Sequence, residues 1–367
     1  MNILITFLTA KVNTFGGVEK SIFSLIDGLR KTNNNVYVYT SQNGDHLDNF
    51  YYSQYLNCNF DCAESEIDNN IRKLYENNGK KINDEIESII LKNRIDYILI
   101  IDQLWGIIPS INFKNIYNVK MGILYHMTYQ MDLIYKTLNM NFDNYFAVSS
   151  EIKEMIIKAN KTTHNIDVLP NCFVEDEFNE FNNKEKNYIF CNCRLAEGKG
   201  IENLLITYKK VAKKYPDLKL YLCGGEFHFG KQEKILDYIN NFLRENNFLK
   251  KNIVMLNNLD WSEIPGYIKD SKLVVLPTKY ESFGIAALES IACCKPLITM
   301  SVGNLPCLVK NSGILLEYGD NTSLYNSIVD LIEDSKLRNN LIQNCKIVRK
   351  KYTSVNVARK LLGFIER

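Results

Sequence analysis

The sequence predicts an α/β protein built from two domains. Three observations carry that expectation. Short apolar runs rich in β-branched residues alternate with amphipathic helical runs. The clearest such unit, strand, loop, short helix and strand, lies late in the chain at residues 273–299. A chain of 367 residues also exceeds what one compact core serves.

Composition narrows the function classes. A content of 46% hydrophobic and 23% charged residues is ordinary for a globular protein. The formal net charge of +2, with no Lys/Arg stripe interleaved with aromatics, argues against a nucleic-acid partner. The chain holds no apolar run of about 18 residues, so no membrane span is expected. Met1 to Ala10 is apolar without a positive leader and reads as a strand, not a signal peptide. The ten cysteines include no Cys-x-x-Cys and no metal-ligand spacing. They are expected to be reduced small hydrophobes in a cytoplasmic protein.

In chain order, Ile3–Leu8 reads as a strand and 9–15 as a polar loop. Gly16-Gly17-Val18-Glu19 then opens a helix over Lys20–Arg30, and Val36–Thr40 completes a βαβ unit. After a loop at 42–48, residues 69–78 read as polar and helical, and 81–92 as an amphipathic helix. Strands follow at 97–101, ending in Asp102-Gln103, and at 120–125, ending in His126. A strand at 144–149 leads into a helix at 151–160 capped near Ser149-Ser150. The stretch Val168-Leu169-Pro170-Asn171 is also extended. Met127–Met140 has partly helical apolar spacing that suits a lipid-facing helix or, more simply, core packing.

A charged stretch at 175–187 separates the halves. Strands are then expected at 188–192, 218–223 (ending in Gly224-Gly225-Glu226), 253–256, 273–276 and 297–299. Helices are expected at 264–270, 285–292, 322–333, 334–349 and 354–367.

Four groups of residues carry candidate chemistry. Glu281 lies on the loop before the 285–292 helix, and Glu289 lies inside it on an otherwise apolar segment. A buried carboxylate needs a partner, and a sugar or ribose diol would serve. The amides at Phe283, Gly284 and Ile285 suit an anion or polar ligand, and Gly284 permits close approach. Arg194 and Lys199, on a loop with Gly198 and Gly200, suit a diphosphate. Gly16-Gly17 at a helix start suits phosphate only weakly, and His126 stands at a strand's carboxyl end, where parallel sheets bind ligands. Plainer readings stay open at each place: Glu281 as a helix cap, Glu289 paired with a core Lys or Arg, a solvated charged loop, a simple glycine turn, and a histidine bonded to backbone.

Glu281-Ser282-Phe283-Gly284-Ile285-Ala286-Ala287-Leu288-Glu289 resembles the E-x7-E motif of retaining glycosyltransferases of family 4, within the glycosyltransferases group 1. The flanks Leu276-Pro277-Thr278 and Lys295–Thr299, the Gly16-Gly17 loop, Tyr125-His126-Met127 and the Arg194…Lys199-Gly200 loop resemble the same family. The resemblance implies the GT-B fold: two Rossmann-like domains facing a central cleft, with the C-terminal helix crossing back to the N-terminal domain. It implies an acceptor-side domain over 1–171, completed by about 350–367, and a donor-binding domain over 172–349.

The implied function is transfer of a hexose or N-acetylhexosamine from a nucleotide-diphosphate sugar to a glycan or lipid-linked acceptor, in surface polysaccharide or glycolipid synthesis. A UDP-linked donor is preferred over a GDP-linked one. In the family's pattern, Arg194 and Lys199 hold the diphosphate, Glu281 the sugar hydroxyls, Glu289 the ribose, and the loop near Leu259 the base. His126 meets the sugar. Gly16 and Gly17 face the donor phosphates, as do the amides of Phe283, Gly284 and Ile285. The sequence has no Asp-x-Asp, so neither a metal nor another cofactor is expected.

The family's setting implies a cytoplasmic protein at or near the inner membrane face, with peripheral membrane contact as one expectation. Charge gives that contact no support on the acceptor side: residues 1–171 carry 16 Lys and Arg against 19 Asp and Glu, leaving 28 against 23 for the rest. Three cysteines depart from the family pattern: Cys193 and Cys172 stand where glycine is usual, and Cys307 where glutamate is common. The alternatives are a non-catalytic GT-B partner in a glycosylation complex and a nucleotide-sugar epimerase. A nicotinamide dehydrogenase would need the missing G-x-G-x-x-G fingerprint.

Overall fold

A computed structural model describes residues 1–9, 16–41, 47–56, 64–179, 185–225 and 233–367. The loops expected at 10–15 and 42–46, part of the 175–187 stretch, and Glu226 of the glycine turn lie outside the described residues. The chain forms two units, Met1–Cys172 with Ser354–Arg367, and Phe173–Thr353.

The first unit holds strands β1 (Asn2–Thr6), β2 (Asn35–Thr40), β3 (Phe50–Tyr52), β4 (Tyr97–Ile101), β5 (Lys120–Tyr125), β6 (Asn144–Ala147) and β7 (Ile166–Val168). All pair in parallel, in the order β3-β2-β1-β4-β5-β6-β7. Its helices are α1 (Gly17–Lys31), α2 (Glu64–Asn93), α3 (Phe113–Tyr117), α4 (Met131–Leu138) and α5 (Ser150–Asn160). The central strands are apolar runs buried along their length, as parallel strands covered on both faces require. Residues 69–78 and 81–92, read as separate helical segments, are one 30-residue helix. Gly79 does not break it: glycine costs a helix only about 1 kcal/mol, and no other group lies within 4 Å of where its side chain would be.

The second unit holds β8 (Tyr188–Asn192), β9 (Lys219–Cys223), β10 (Ile253–Asn257), β11 (Leu273–Leu276), β12 (Leu297–Met300) and β13 (Ile314–Leu316). They form one parallel sheet in the order β10-β9-β8-β11-β12-β13. Its helices are α6 (Ile201–Lys214), α7 (Glu233–Glu245), α8 (Ile264–Asp270), α9 (Ile285–Ala292), α10 (Leu305–Val309), α11 (Asn321–Glu333) and α12 (Ser335–Val348). Ile189, Leu204, Tyr208, Leu220, Val275, Ile298 and Ile328 build its core between sheet and helices. Asp320 and Asp334 cap α11 and α12 by accepting first-turn amides, which separates two helices that follow each other almost directly.

The terminal helix α13 (Ser354–Ile365) crosses back to the first unit. It lies against α1, where Gly28 permits the approach: a Cβ there would sit 2.0 Å from the Ser354 carbonyl oxygen. The Ser354 hydroxyl donates to Asp27 at 2.7 Å. Strand β3 and the five-residue helices α3 and α10 were not foreseen, because elements that short carry no periodicity. The 127–140 stretch contains only the short α4, whose Ile134, Thr137 and Leu138 are buried, so its apolar side serves the core. No helix among the described residues is long and apolar enough to cross a membrane.

Candidate active site

In the second unit the strand order reverses between β8 and β11, and ligands of open parallel sheets bind outside the carboxyl ends at such a reversal. The two loops leaving those ends are stitched together. The Lys279 amide donates to the Gly198 carbonyl at 2.7 Å. Gly200, the N-cap of α6 at φ +70°, passes so near β11 that a Cβ would sit 2.0 Å from the Pro277 carbonyl oxygen. Only glycine fits both that conformation and that space.

Across this junction Lys199 Nζ meets Glu281 Oε2 at 2.9 Å, with both side chains largely but not wholly covered. Glu281 therefore pairs with a cation and does not cap α9. The N-cap of α9 is Gly284 at φ +98°, where a Cβ would fall 2.6 Å from a Leu305 methyl. Asn304, after β12, fixes this loop from behind: its amide donates to the Glu281 carbonyl at 3.3 Å and its Nδ2 to the Phe283 carbonyl at 3.1 Å. Phe283 is buried with its ring edge-on to Tyr352, so its side chain is an anchor and its backbone faces the loop. Ile285 begins the helix.

Glu289 is 4% exposed and accepts from Asn192 Nδ2 at 2.8 Å. That partner is an amide at the end of β8. Leu259 follows β10, and its backbone lies near the Cys223 thiol at the end of β9, which burial pushes up to about 12. The Gly224 amide donates to the Asn257 carbonyl at 2.9 Å, joining the β9 and β10 loops. Arg194 is exposed, one residue past Cys193, and its charge together with those of Lys199 and Glu281 acts on the Cys193 thiol. Arg194, Lys199, Leu259, Glu281, Phe283, Gly284, Ile285 and Glu289 thus share one carboxyl edge. Asn192 and Asn304, which position the carboxylates and the loop, carried no motif of their own.

Gly16, Gly17 and His126 belong to the first unit. Gly16 is the extended N-cap of α1 and Gly17 its first residue. The Glu19 carboxylate folds back over this start: a Cβ on Gly16 would lie 1.9 Å from Glu19 Oε2, and Thr9 Oγ1 donates to Glu19 Oε1 at 3.0 Å. His126 follows β5 and is 3% exposed, and neither ring nitrogen has a hydrogen-bond partner of good geometry. Burial lowers it to about 4. Beside it, Asp102 ends β4 at φ +74° and is pushed by burial up to about 7. Gln103 donates to the Tyr129 carbonyl at 2.9 Å.

Comparison with known proteins finds likenesses for the second unit and for the fold. Residues 173–348 match the model of glycosyl transferases group 1. An uncharacterised glycosyltransferase of Methanocaldococcus jannaschii is 29% identical over 157 residues, 42% of this chain and 41% of that protein. The UDP-Gal:alpha-D-GlcNAc-diphosphoundecaprenol alpha-1,3-galactosyltransferase of Escherichia coli is 35% identical over 101 residues, 27% of this chain and 25% of that protein. The matched stretches thus span less than half of these curated relatives.

Among solved structures, sucrose-phosphate synthase from Thermosynechococcus elongatus superposes with a TM-score of 0.79 at 17% identity, covering 100% of this chain and 98% of that one. HepE from Anabaena, solved with UDP and glucose, gives 0.73 at 15% identity, covering 100% and 99%. The second unit therefore carries a glycosyl transferases group 1 domain, and the fold is that of GT-B glycosyltransferases.

Proposed function

We propose that the protein is a retaining glycosyltransferase of family 4 that moves a hexose or N-acetylhexosamine from a nucleotide-diphosphate sugar to a glycan or lipid-linked acceptor. The observation that carries this is the Lys199–Glu281 pair at the strand-order reversal, with Arg194 on the same loop and Glu289 held by Asn192 behind it. A diphosphate leaving group needs positive charge more than a strong base, and charge-stabilising groups fixed in advance are the largest catalytic term for such chemistry. Lys199 and Arg194 supply that charge, with the first amides of α9. On this reading Lys199 exchanges part of its contact with Glu281 for the diphosphate, which leaves Glu281 for sugar hydroxyls. Glu289 takes the ribose diol, and the Leu259 loop takes the base.

His126 stays neutral above about pH 4, so it offers a hydrogen bond to the sugar without competing with the two cations for negative charge. Retention follows if the acceptor attacks from the leaving-group face and the departing phosphate takes its proton. The reaction is proposed to be metal-independent and to use UDP-linked sugar ahead of GDP-linked sugar, in surface glycan or glycolipid synthesis at the inner membrane face.

Thermal-shift measurements with UDP, GDP, ADP and their common sugars, with and without EDTA, test the donor reading. Stabilisation by one nucleotide that survives EDTA is expected. A protein that none of them stabilises would overturn it.

A further inference from the structure

The carboxyl end of β8 carries a Cys-x-Cys pair, and nothing in the proposed reaction uses it. Cys191 is fully buried in the strand; Cys193, two residues on and on the same side of the extended chain, is half-buried. Their sulfurs lie 3.7 Å apart in hydrogen-bond contact. Residues two apart in a strand fall near the upper end of the Cα separation that a disulfide spans, and the sulfurs need to close only to the 2.03–2.05 Å of the bond.

The two thiols are electrically unequal. The contact with Cys191, and then the charges of Lys199 and Arg194, hold Cys193 below the ordinary thiol range. The same contact and burial push Cys191 well up. A half-buried cysteine under the charge of two cations, backed by a buried second thiol, is the arrangement of an attacking and a resolving cysteine. The pair runs directly into the loop that bears the cations, since Arg194 follows Cys193, and the end of β9 closes against it. A Cβ on Gly224 would lie 2.0 Å from the Cys193 carbonyl oxygen, and the Cys193 amide donates to the Cys223 carbonyl at 3.1 Å. Drawing Cys193 toward Cys191 therefore shifts the chain where Arg194 begins.

We propose that Cys193 and Cys191 form an oxidisable dithiol site for a peroxide, and that its closure to a disulfide weakens donor binding. The second half rests on the donor-site reading above. In the first step the Cys193 thiolate attacks a peroxide oxygen. An S–O bond forms, the O–O bond breaks, and the leaving hydroxide takes a proton to become water. In the second step the Cys191 sulfur attacks Cys193; the S–S bond forms, the S–O bond breaks, and hydroxide leaves with the Cys191 proton as a second water. Two thiols are oxidised by two electrons and one peroxide is reduced to two waters.

The test treats the full chain with limiting hydrogen peroxide and maps its peptides by mass spectrometry, then measures UDP binding calorimetrically before and after reduction with dithiothreitol. The expected result is a Cys191–Cys193 linkage that forms faster than exposed Cys307 oxidises. UDP binding should be roughly tenfold weaker in the oxidised protein, the loss of about one charge-assisted hydrogen bond, and should recover on reduction. Cys191→Ser should stop at a sulfenic or sulfinic acid on Cys193, and Cys193→Ser should leave Cys191 unreacted. Oxidation of the pair no faster than that of Cys307, or without the linkage, overturns the site. A linkage that leaves UDP affinity unchanged overturns its control of the donor. If the reduced protein binds no UDP, the donor-site reading fails while the peptide map still decides the dithiol.

Discussion

Replacing Asp102 by Asn should expose a pH dependence of stability that the wild-type protein conceals. Asp102 is 1% exposed, and burial, the largest influence on it, pushes its carboxyl up to about 7 against the pull of the Leu104, Gln103 and His126 amides. Burial holds neighbouring His126 at about 4. In an unfolded chain the two titrate near about 3.9 and 6.5. Between these values and the native ones, native Asp102 keeps a proton that the unfolded chain has released, so its contribution to stability falls as pH rises from about 4 to 7. Native His126 lacks a proton that the unfolded chain holds, so its contribution rises from about pH 4 to 6.5.

At about 1.4 kcal/mol per pH unit these amount to about 4 kcal/mol for Asp102 and about 3 for His126, with opposite sign, so they nearly cancel. Asp102→Asn tolerates the positive φ and removes the first contribution. Relative to wild type, it should gain about 4 kcal/mol between pH 4 and 7, and His126→Asn should lose about 3. Urea unfolding across that range reads both, in a Trp261→Phe background that leaves Trp105 reporting on the first unit. Variant and wild-type curves that run parallel from pH 4 to 7 would refute the assignment of these protons.

Three further outcomes follow from the second unit. Gly200→Ala should cost about 2–4 kcal/mol, since it combines φ +70° with a Cβ 2.0 Å from the Pro277 oxygen, whereas Gly198→Ala, at φ +84° with nothing within 4 Å, should cost only about 1; denaturation of the two side by side checks it. Glu289→Gln should weaken UDP binding by roughly tenfold while weakening 2′,3′-dideoxy-UDP far less, because only the first presents a ribose diol; equal losses by calorimetry would remove Glu289 from the ribose. Lys199→Ala and Arg194→Ala should each weaken UDP by roughly tenfold or more and leave uridine unchanged, which competition binding resolves.

Much of the fold was legible because its strands are buried on both faces and read as unbroken apolar runs, as in Tyr97–Ile101 and Leu273–Leu276. Among the elements that escaped, Phe50–Tyr52, Phe113–Tyr117 and Leu305–Val309 are too short to carry a period, while the helices Ile201–Lys214 and Glu233–Glu245 are long enough for one and were missed all the same. The two helical segments at 69–78 and 81–92 looked separate because polar residues and Gly79 weaken the apolar stripe, yet packing of Ile67, Ile71, Ile82, Ile86 and Ile90 carries one helix through. Within the site, residue types and spacing pointed to Glu281, Glu289, Arg194 and Lys199. They left open whether each carboxylate had a partner and which one it was.

Those partners could not be read because they depend on which strands are neighbours. Lys199 and Glu281 stand 82 positions apart, and Asn192 and Glu289 stand 97 apart. Both pairs exist because β8 and β11 are adjacent in the sheet although β9 and β10 intervene in the chain. The same adjacency adds to why glycine is required at Gly200: beside its own positive φ, the Pro277 carbonyl on the neighbouring strand end leaves no room for a Cβ. It also changes the meaning of Cys193. Along the sequence it is a small residue standing in a glycine's place. At the strand end its sulfur meets Cys191 and lies in the field of Lys199 and Arg194, so a substitution that looks conservative in volume adds a thiol to the loop proposed to hold the diphosphate.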